Sequence, residues 1–200
     1  MKPPNLTLDN MCIIDLEQNL EQNREHAPQI RKLVQMHRNK AISLRVVATS
    51  ASELKPNNTH PQHFDEFKQR MALIGLGDVE ILPTLGRFNF SFFDYCVFFG
   101  NRWLDQLEEE IQAVLFGEDE TEFGDFCRKH GYDKRNKEAW NKWINRKCDV
   151  LTLWSHIYFN GDVFVTNDNN FYKQTKKPRL VKLGSGRILA PSEAVKMLDC

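Results

Sequence analysis

The ten residues DVFVTNDNNF, at 162–171, constrain this chain more than any other stretch. Val163, Phe164, Val165 and Thr166 make the kind of continuous run that a strand covered on both faces carries, and the polar cluster 167–170 stops it abruptly. Strands covered on both faces belong to parallel sheets with helices on either side. Ligands in such sheets gather just beyond the carboxyl ends of the strands, and Asp168 stands at that spot. A second short apolar strand, Leu6 to Leu8, ends in the same way at Asp9. Two carboxylates carried to one edge of one sheet make a candidate cation site.

The remaining pattern alternates helix and strand. After Asp9, the residues Cys12, Ile13, Leu16 and Leu20 recur at helical spacing, with Asp9 or Asn10 placed to cap the helix and Asp15 on its solvent side. A helix is expected over 28–38, opened by Pro28, then a strand over 41–47 and a Ser/Thr-rich turn leading to a short helical turn that holds Glu53. Phe64, Phe67, Met71 and Ile74 predict a helix over 64–76, DVEILP a third strand, and Leu104, Leu107, Ile111 and Leu115 a helix over 104–116. Residues 117–133 read as an acidic loop. Residues 138–158 read as one or two helical segments. In a single straight helix the stripe Trp140, Ile144, Leu151, Trp154 and Tyr158 lies opposite Asp149, which puts Asp149 in solvent. His156, flanked by Leu153 and Ile157, reads as a packed or hydrogen-bonded histidine rather than a ligand. The tail predicts a strand and then a helix starting at Pro191 or Ser192. The fold class this implies is α/β, with three layers and a doubly wound, mainly parallel central sheet. The chain reads as a single domain, 1–200, with an enlarged helical and aromatic segment at about 84–147.

Charge is balanced overall, at a formal net of zero, so bulk electrostatics does not announce a polyanion partner. Its distribution is uneven. Residues 104–126 hold nine acids and no Lys or Arg, 128–147 hold eight bases against two acids, and 173–187 hold six bases and no acid. Such blocks read as solvated faces first and as a phosphate-contacting surface second. The five cysteines are dispersed and include no CxxC pair, which argues against a zinc knuckle or disulfide framework. There is no signal-peptide core and no apolar run near the ~20 residues that span a bilayer, so a reduced, cytoplasmic protein without a membrane partner is the default expectation.

Several site signatures are missing: a phosphate-binding GxxxxGK[ST] loop, GxGxxG after a strand, HExxH and GxSxG. What remains is oxygen ligands. Each candidate also has an ordinary structural role open to it. Asp9 would serve as a helix cap, Glu53 as a surface residue, Asp149 as a solvated helix residue and Asp168 as a turn former.

At this level the chain resembles the PIN-like domain nucleases. LTLDNMCIIDLE resembles their opening strand, aspartate and helix, and VVATSASEL resembles their second element, a strand and turn leading to a glutamate. CDVLTLWSHIYFNGDVFVTNDNNF is similar to their helix-borne aspartate followed by a strand and a T-x-D-x-x-F signature, here Thr166, Asp168 and Phe171. The likeness covers roughly the first fifty-five and last fifty residues. It implies a site of Asp9, Glu53, Asp149 and Asp168, supported by Thr166 and Asn10, holding one or two Mg²⁺ or Mn²⁺ ions that activate water against a phosphodiester. Asp9, Asp149 and Asp168 would be ligands, direct or through water; Glu53 would position the water or complete a second metal site. The implied activity is a metal-dependent ribonuclease leaving 5′-phosphate and 3′-hydroxyl ends, of the toxin–antitoxin kind. Its partners would be single-stranded RNA, an antitoxin or other protein, and further copies of itself. Lys173, Lys176, Lys177 and Arg179 are the candidate nucleic-acid contacts, and exposed aromatics of 88–103 would stack on bases. The alternative is a catalytically inactive PIN-like module that binds RNA or protein.

Overall fold

The computed structural model describes residues 2–18, 24–52, 63–87, 91–98, 102–120 and 122–199. In chain order, β1 (Asn5–Leu8), α1 (Asn10–Gln18) and α2 (Ala27–Arg38) lead to β2 (Ser43–Val47) and a 3-10 turn at Ala48–Ala51. Next come α3 (Phe64–Leu73), β3 (Glu80–Leu82) and a small parallel pair, β4 (Thr84–Leu85) and β5 (Cys96–Val97). Helices α4 (Arg102–Leu115), α5 (Phe123–His130) and α6 (Lys137–Tyr158) precede β6 (Val163–Val165). Two short helices, α7 (Asn169–Tyr172) and α8 (Lys177–Leu180), lead to β7 (Arg187–Leu189) and α9 (Pro191–Leu198).

The central sheet has the order β3-β2-β1-β6-β7, and each pairing is parallel. The chain leaves β1 to one side for β2 and β3, then crosses back to lay β6 and β7 on the other side. The reversal falls between β1 and β6. This is the doubly wound α/β arrangement that the alternating pattern predicts.

Side chains alternate across a strand with a period of two, and here that period sorts the core into two layers. Leu6, Leu8, Leu44, Val46, Val163 and Val165 face one way, into a cluster with residues of α1, α2, α3 and α9. Phe164 and Ile188 face the other way, against Leu107 and Ile111 of α4 and Leu151 and Trp154 of α6. On that second face Thr7 meets His156 of α6, whose Nδ1 lies 2.8 Å from Thr7 Oγ1 while Nε2 lies 2.9 Å from the Ser185 carbonyl oxygen. Burial pushes the His156 pKa down to about 4, so the ring is neutral near pH 7. It is the packed, hydrogen-bonded histidine its neighbours suggest.

Helix α6 runs unbroken for 22 residues, ~33 Å at 1.5 Å per residue. Asn136 caps it, accepting from Ala139 N at 3.0 Å. Its second half is buried on several sides, because α4 covers the flank turned away from the sheet: Trp154 Nε1 donates to the Leu104 carbonyl at 3.1 Å. Its first half extends past the carboxyl edge of the sheet and packs with α5 around Phe126, Cys127 and Ala139. Residues 117–133 are therefore not simply a loop. They include α5, which ends at Gly131, a residue with φ 70°. An eight-residue helix with several charges in one flank was hidden behind the acidic composition around it.

The opposing charge blocks meet at two buried carboxylates. Glu120, 3% exposed, takes Lys129 at 3.1 Å, His130 at 3.0 Å and Arg146. Glu108 takes Arg87 and, at 3.2 Å, Lys147. The predicted stacking surface is also reduced: Tyr95 stacks on Phe64 with ring centres 3.6 Å apart, and Phe92 meets the same ring edge-on at 5.3 Å. Phe98 is exposed, while Phe88, Phe90 and Phe99 lie outside the described residues. Cys12 and Cys127 are buried free thiols. Among the described residues no helix is both long and apolar enough to cross a membrane.

Burial alone would raise the Glu120 carboxyl, but the Lys129 and His130 hydrogen bonds and the Arg146 charge hold it below its ordinary 4.5. Glu120→Gln should lower the unfolding free energy by about 2 kcal/mol at pH 7, below the loss for a fully buried pair because the cations are partly exposed. The gap should narrow as pH falls below 4.5, where the unfolded glutamate takes up its proton first. Urea melts at both pH values check this; equal midpoints at pH 7 would show the pairs to be surface contacts of no energetic weight.

Candidate functional site

Strands β1 and β6 lie side by side with Leu8 opposite Val165, so the residues that follow them emerge together. The ladder runs on for one more residue, Asp9 N donating to the Val165 carbonyl at 2.9 Å and Thr166 N to the Leu189 carbonyl at 3.1 Å. One hydroxyl then ties the two turns together. Thr166 Oγ1 donates to Asp9 Oδ2 at 2.6 Å and accepts from Asp168 N at 3.0 Å. Asp9 Oδ1 accepts from Asn10 N at 2.8 Å, and Asp168 Oδ1 accepts from Asn170 N at 2.8 Å, capping α7. The structural roles open to Asp9 and Asp168 are thus real, and they coexist with a shared position at the sheet edge.

Beyond that edge lies a cleft of about 440 Å³. Three carboxylates line it, Asp9, Asp149 and Asp168, with the amides of Asn10, Asn145, Asn167 and Asn169 and the side chain of Met11. Asp149 is half-buried and lines the cleft rather than standing fully in solvent. The helix is unbroken, and α6 runs antiparallel to the strand it feeds. Counting back nine residues from Tyr158 covers ~14 Å of helix, and the strand climbs ~13 Å between Asp162 and Thr166. Asp149 therefore stands level with the carboxyl ends of β1 and β6, and its outward face looks across the cleft. Asn145, one turn earlier, lines the same wall. Glu53 lies outside the described residues. The 3-10 turn before it abuts α6, Thr49 Oγ1 lying 2.7 Å from Thr152 Oγ1 and Cys148 Sγ 3.8 Å from the Thr49 carbonyl oxygen.

Asp9 is 2% exposed. Burial pushes its pKa up to about 6; the Thr166 and Asn10 hydrogen bonds oppose the rise and the neighbouring Asp168 charge adds to it. Asp15, expected at the surface, is only 5% exposed. Burial raises its carboxyl too, against the charges of His26 and Arg24 and a 2.5 Å hydrogen bond from Asn167 Nδ2. The helical stripe of α1 ran past Asp15 because the loop after β6, remote in sequence, covers it. Asn167 Oδ1 is buried in the cleft wall with no hydrogen-bond partner among the described residues. Sequence reasoning missed Asn145, Asn167, Asn169 and Met11. The spacing of four between Asn145 and Asp149 was the signal available for the first.

Among the described residues, no group of three or more His, Cys, Asp or Glu side chains stands close enough to hold a metal ion as it is. Apart from the Met11 thioether, the side-chain donors of the lining residues are carboxylate and amide oxygens, which fit Mg²⁺ or Mn²⁺ rather than zinc. A buried carboxylate beside a second negative charge is also the electrostatic situation that a hard cation relieves.

Of the four candidate nucleic-acid contacts, two are engaged within the chain. Lys176 Nζ donates to the Leu115 carbonyl and to Asn170 Oδ1, both at 2.5 Å, and Lys177 Nζ stands 4.9 Å over the Tyr172 ring. Lys173 is exposed, and Arg179 lines a separate cavity with Lys182, Glu110 and Glu118. Comparison with known proteins finds no matching family model and no matching curated protein.

The raised Asp9 pKa has a consequence for stability without divalent ions. The folded chain holds this proton more tightly than the unfolded chain, whose value is 3.8. Stability is at its full value below 3.8 and is lost as pH rises through about 6, where the carboxyl must ionise while buried. Asp9→Asn lacks that loss. Relative to wild type it should gain up to about 3 kcal/mol between pH 4 and pH 7. Urea unfolding in EDTA across this range measures it, and two parallel stability curves would contradict it.

Proposed function

We propose that this chain is a PIN-like, metal-dependent nuclease that hydrolyses single-stranded RNA. The observation that carries the reading is the convergence of Asp9, Asp149 and Asp168 on one cleft at the reversal point between β1 and β6, where open α/β sheets bind their ligands. A Mg²⁺ or Mn²⁺ ion bound there would neutralise a phosphodiester oxygen and lower the pKa of a water.

The residues around the cleft would then have defined tasks. Asp9, Asp149 and Asp168 would hold the cation beside the scissile phosphate. Thr166 orients Asp9 through its 2.6 Å hydrogen bond, and its link to Asp168 N keeps the two turns in register. Asn10 N supplies the second hydrogen bond to Asp9. Asn145, Asn167 and Asn169 surround the acids with neutral dipoles, so the cleft is polar without further net charge. Glu53 is the candidate to position the attacking water, on the strength of the resemblance alone. An antitoxin-like protein covering this cleft, and association with further copies, belong to the same proposal. A module that binds RNA without cleaving it is the rival.

The test is purified protein with single-stranded RNA and Mn²⁺. Cleavage should occur and stop with EDTA. Asp168→Asn and Asp149→Asn should each reduce the rate on the order of 100-fold or more, and Thr166→Val by about 10–100-fold, as outer-shell partners do. Melting temperatures taken alongside separate lost chemistry from lost fold. Cleavage that survives Asp168→Asn would belong to a contaminant, and binding without cleavage in wild type would favour the rival.

A further inference from the structure

The negative cleft has a positive neighbour. The turn that lines the cleft with Asp168 and Asn169 continues to Asn170, whose Oδ1 lies 2.5 Å from Lys176 Nζ. Lys176 stands 5.8 Å from the centre of the Phe116 ring, and the Arg146 guanidinium stands 5.1 Å from the same centre. Both cations being so close to one ring, they are no more than about 11 Å apart. Lys173 projects from the same connection, three residues before Lys176, and is exposed.

Among the described residues neither Lys173 nor Lys176 is paired with a carboxylate within 4.0 Å; Lys176 is held by a carbonyl and an amide oxygen instead. Arg146 is bridged to Glu120, but that carboxylate is shared with Lys129 and His130. Burial lowers the Lys176 pKa and the charges of Lys173 and Arg146 lower it further, while the Asp168 charge opposes them, so Lys176 feels both cations and the acidic edge of the cleft. Gathering the cations costs free energy that a further anion would return. The four bases that the sequence groups together are thus divided by the fold: Lys177 is spent on Tyr172 and Arg179 lines another cavity, while Arg146, from a distant helix, joins the group.

We propose that Lys173, Lys176 and Arg146, gathered around Phe116, form a phosphate subsite for the strand phosphate next to the one presented to Asp9, Asp149 and Asp168. This rests on the nuclease reading above. Donors remain for it: Lys176 carries three N–H groups and uses two in the contacts given, and Arg146 carries five. A strand laid this way passes from the cleft over the Asp168–Asn170 turn and onto the rim by Phe116. The rim offsets the repulsion that the acidic cleft exerts on a polyanion.

The test is binding of a fluorescent single-stranded RNA octamer in EDTA, measured over a range of salt for wild type, Lys173→Gln and the double variant Lys173→Gln/Lys176→Gln. Melting curves report whether the fold is kept. The double variant should bind about tenfold more weakly at low salt, and its slope of log affinity against log salt should be shallower by about 1.4, the single variant's by about 0.7. Should the double variant not fold, the exposed Lys173→Gln decides alone. Millimolar inorganic phosphate at fixed ionic strength should leave wild-type binding unchanged; displacement would assign a free-phosphate site and overturn the strand assignment. Unchanged affinity and slope in the variants would overturn the subsite while wild-type cleavage kept the nuclease reading. A wild type that neither binds nor cleaves RNA would remove both.

Discussion

One hydroxyl hydrogen-bonds across the point on which the site depends. Thr166 Oγ1 donates to Asp9 and accepts from the backbone of Asp168, so turns 157 residues apart in sequence become one unit at the edge of the sheet. The bond forms because β1 and β6 are neighbours, and they are neighbours because the chain reverses its winding between them. Adjacent strands that feed connections to opposite sides leave a crevice beyond their carboxyl ends. Sheet order, strand pairing and hydroxyl therefore specify the same spot. The electrostatic strain that follows is a buried Asp9 beside Asp168, with the Asp9 pKa pushed up to about 6.

The third carboxylate comes from a different constraint. Helix α6 has to return the chain from the carboxyl edge to the amino edge before β6 begins, and it carries the main apolar contacts of the second layer. Its length beyond the sheet raises the far wall of the cleft. The ion pairs of Glu108 and Glu120 hold α4, α5 and this extension together where apolar contacts are fewer. The ion pairs of Glu108 and Glu120 are thus internal, while Arg146 and Lys176 meet at the Phe116 ring near the cleft.

Much of this was legible in the sequence, and the parts that were not share a cause. Val163 to Val165 and Leu6 to Leu8 read as buried parallel strands because both faces of those strands are covered, and Asp168 and Asp9 followed from their ends. His156 was placed by its neighbours. Asp15 was misjudged because periodicity reports which face of a helix is apolar, not what the polar face looks upon: a loop from 152 residues downstream lies over it. Periodicity put Asp149 on the polar face of α6, where it is half-buried and lines the cleft. Helix α5 was obscured by the acidic stretch around it, and the partners of Arg146 and Lys176 could not be read at all, since ion pairs and ring contacts between distant segments leave no local pattern.

The central claim is that Asp9, Asp149 and Asp168 share one divalent cation. Titration of the metal-free protein with Mn²⁺ at pH 7.5, followed by loss of the free-ion electron paramagnetic resonance signal, tests it without any substrate. The account predicts saturable binding in wild type that is weakened in Asp9→Asn, in Asp149→Asn and in Asp168→Asn alike. Binding that is absent from wild type, or that persists unchanged in all three variants, would contradict it.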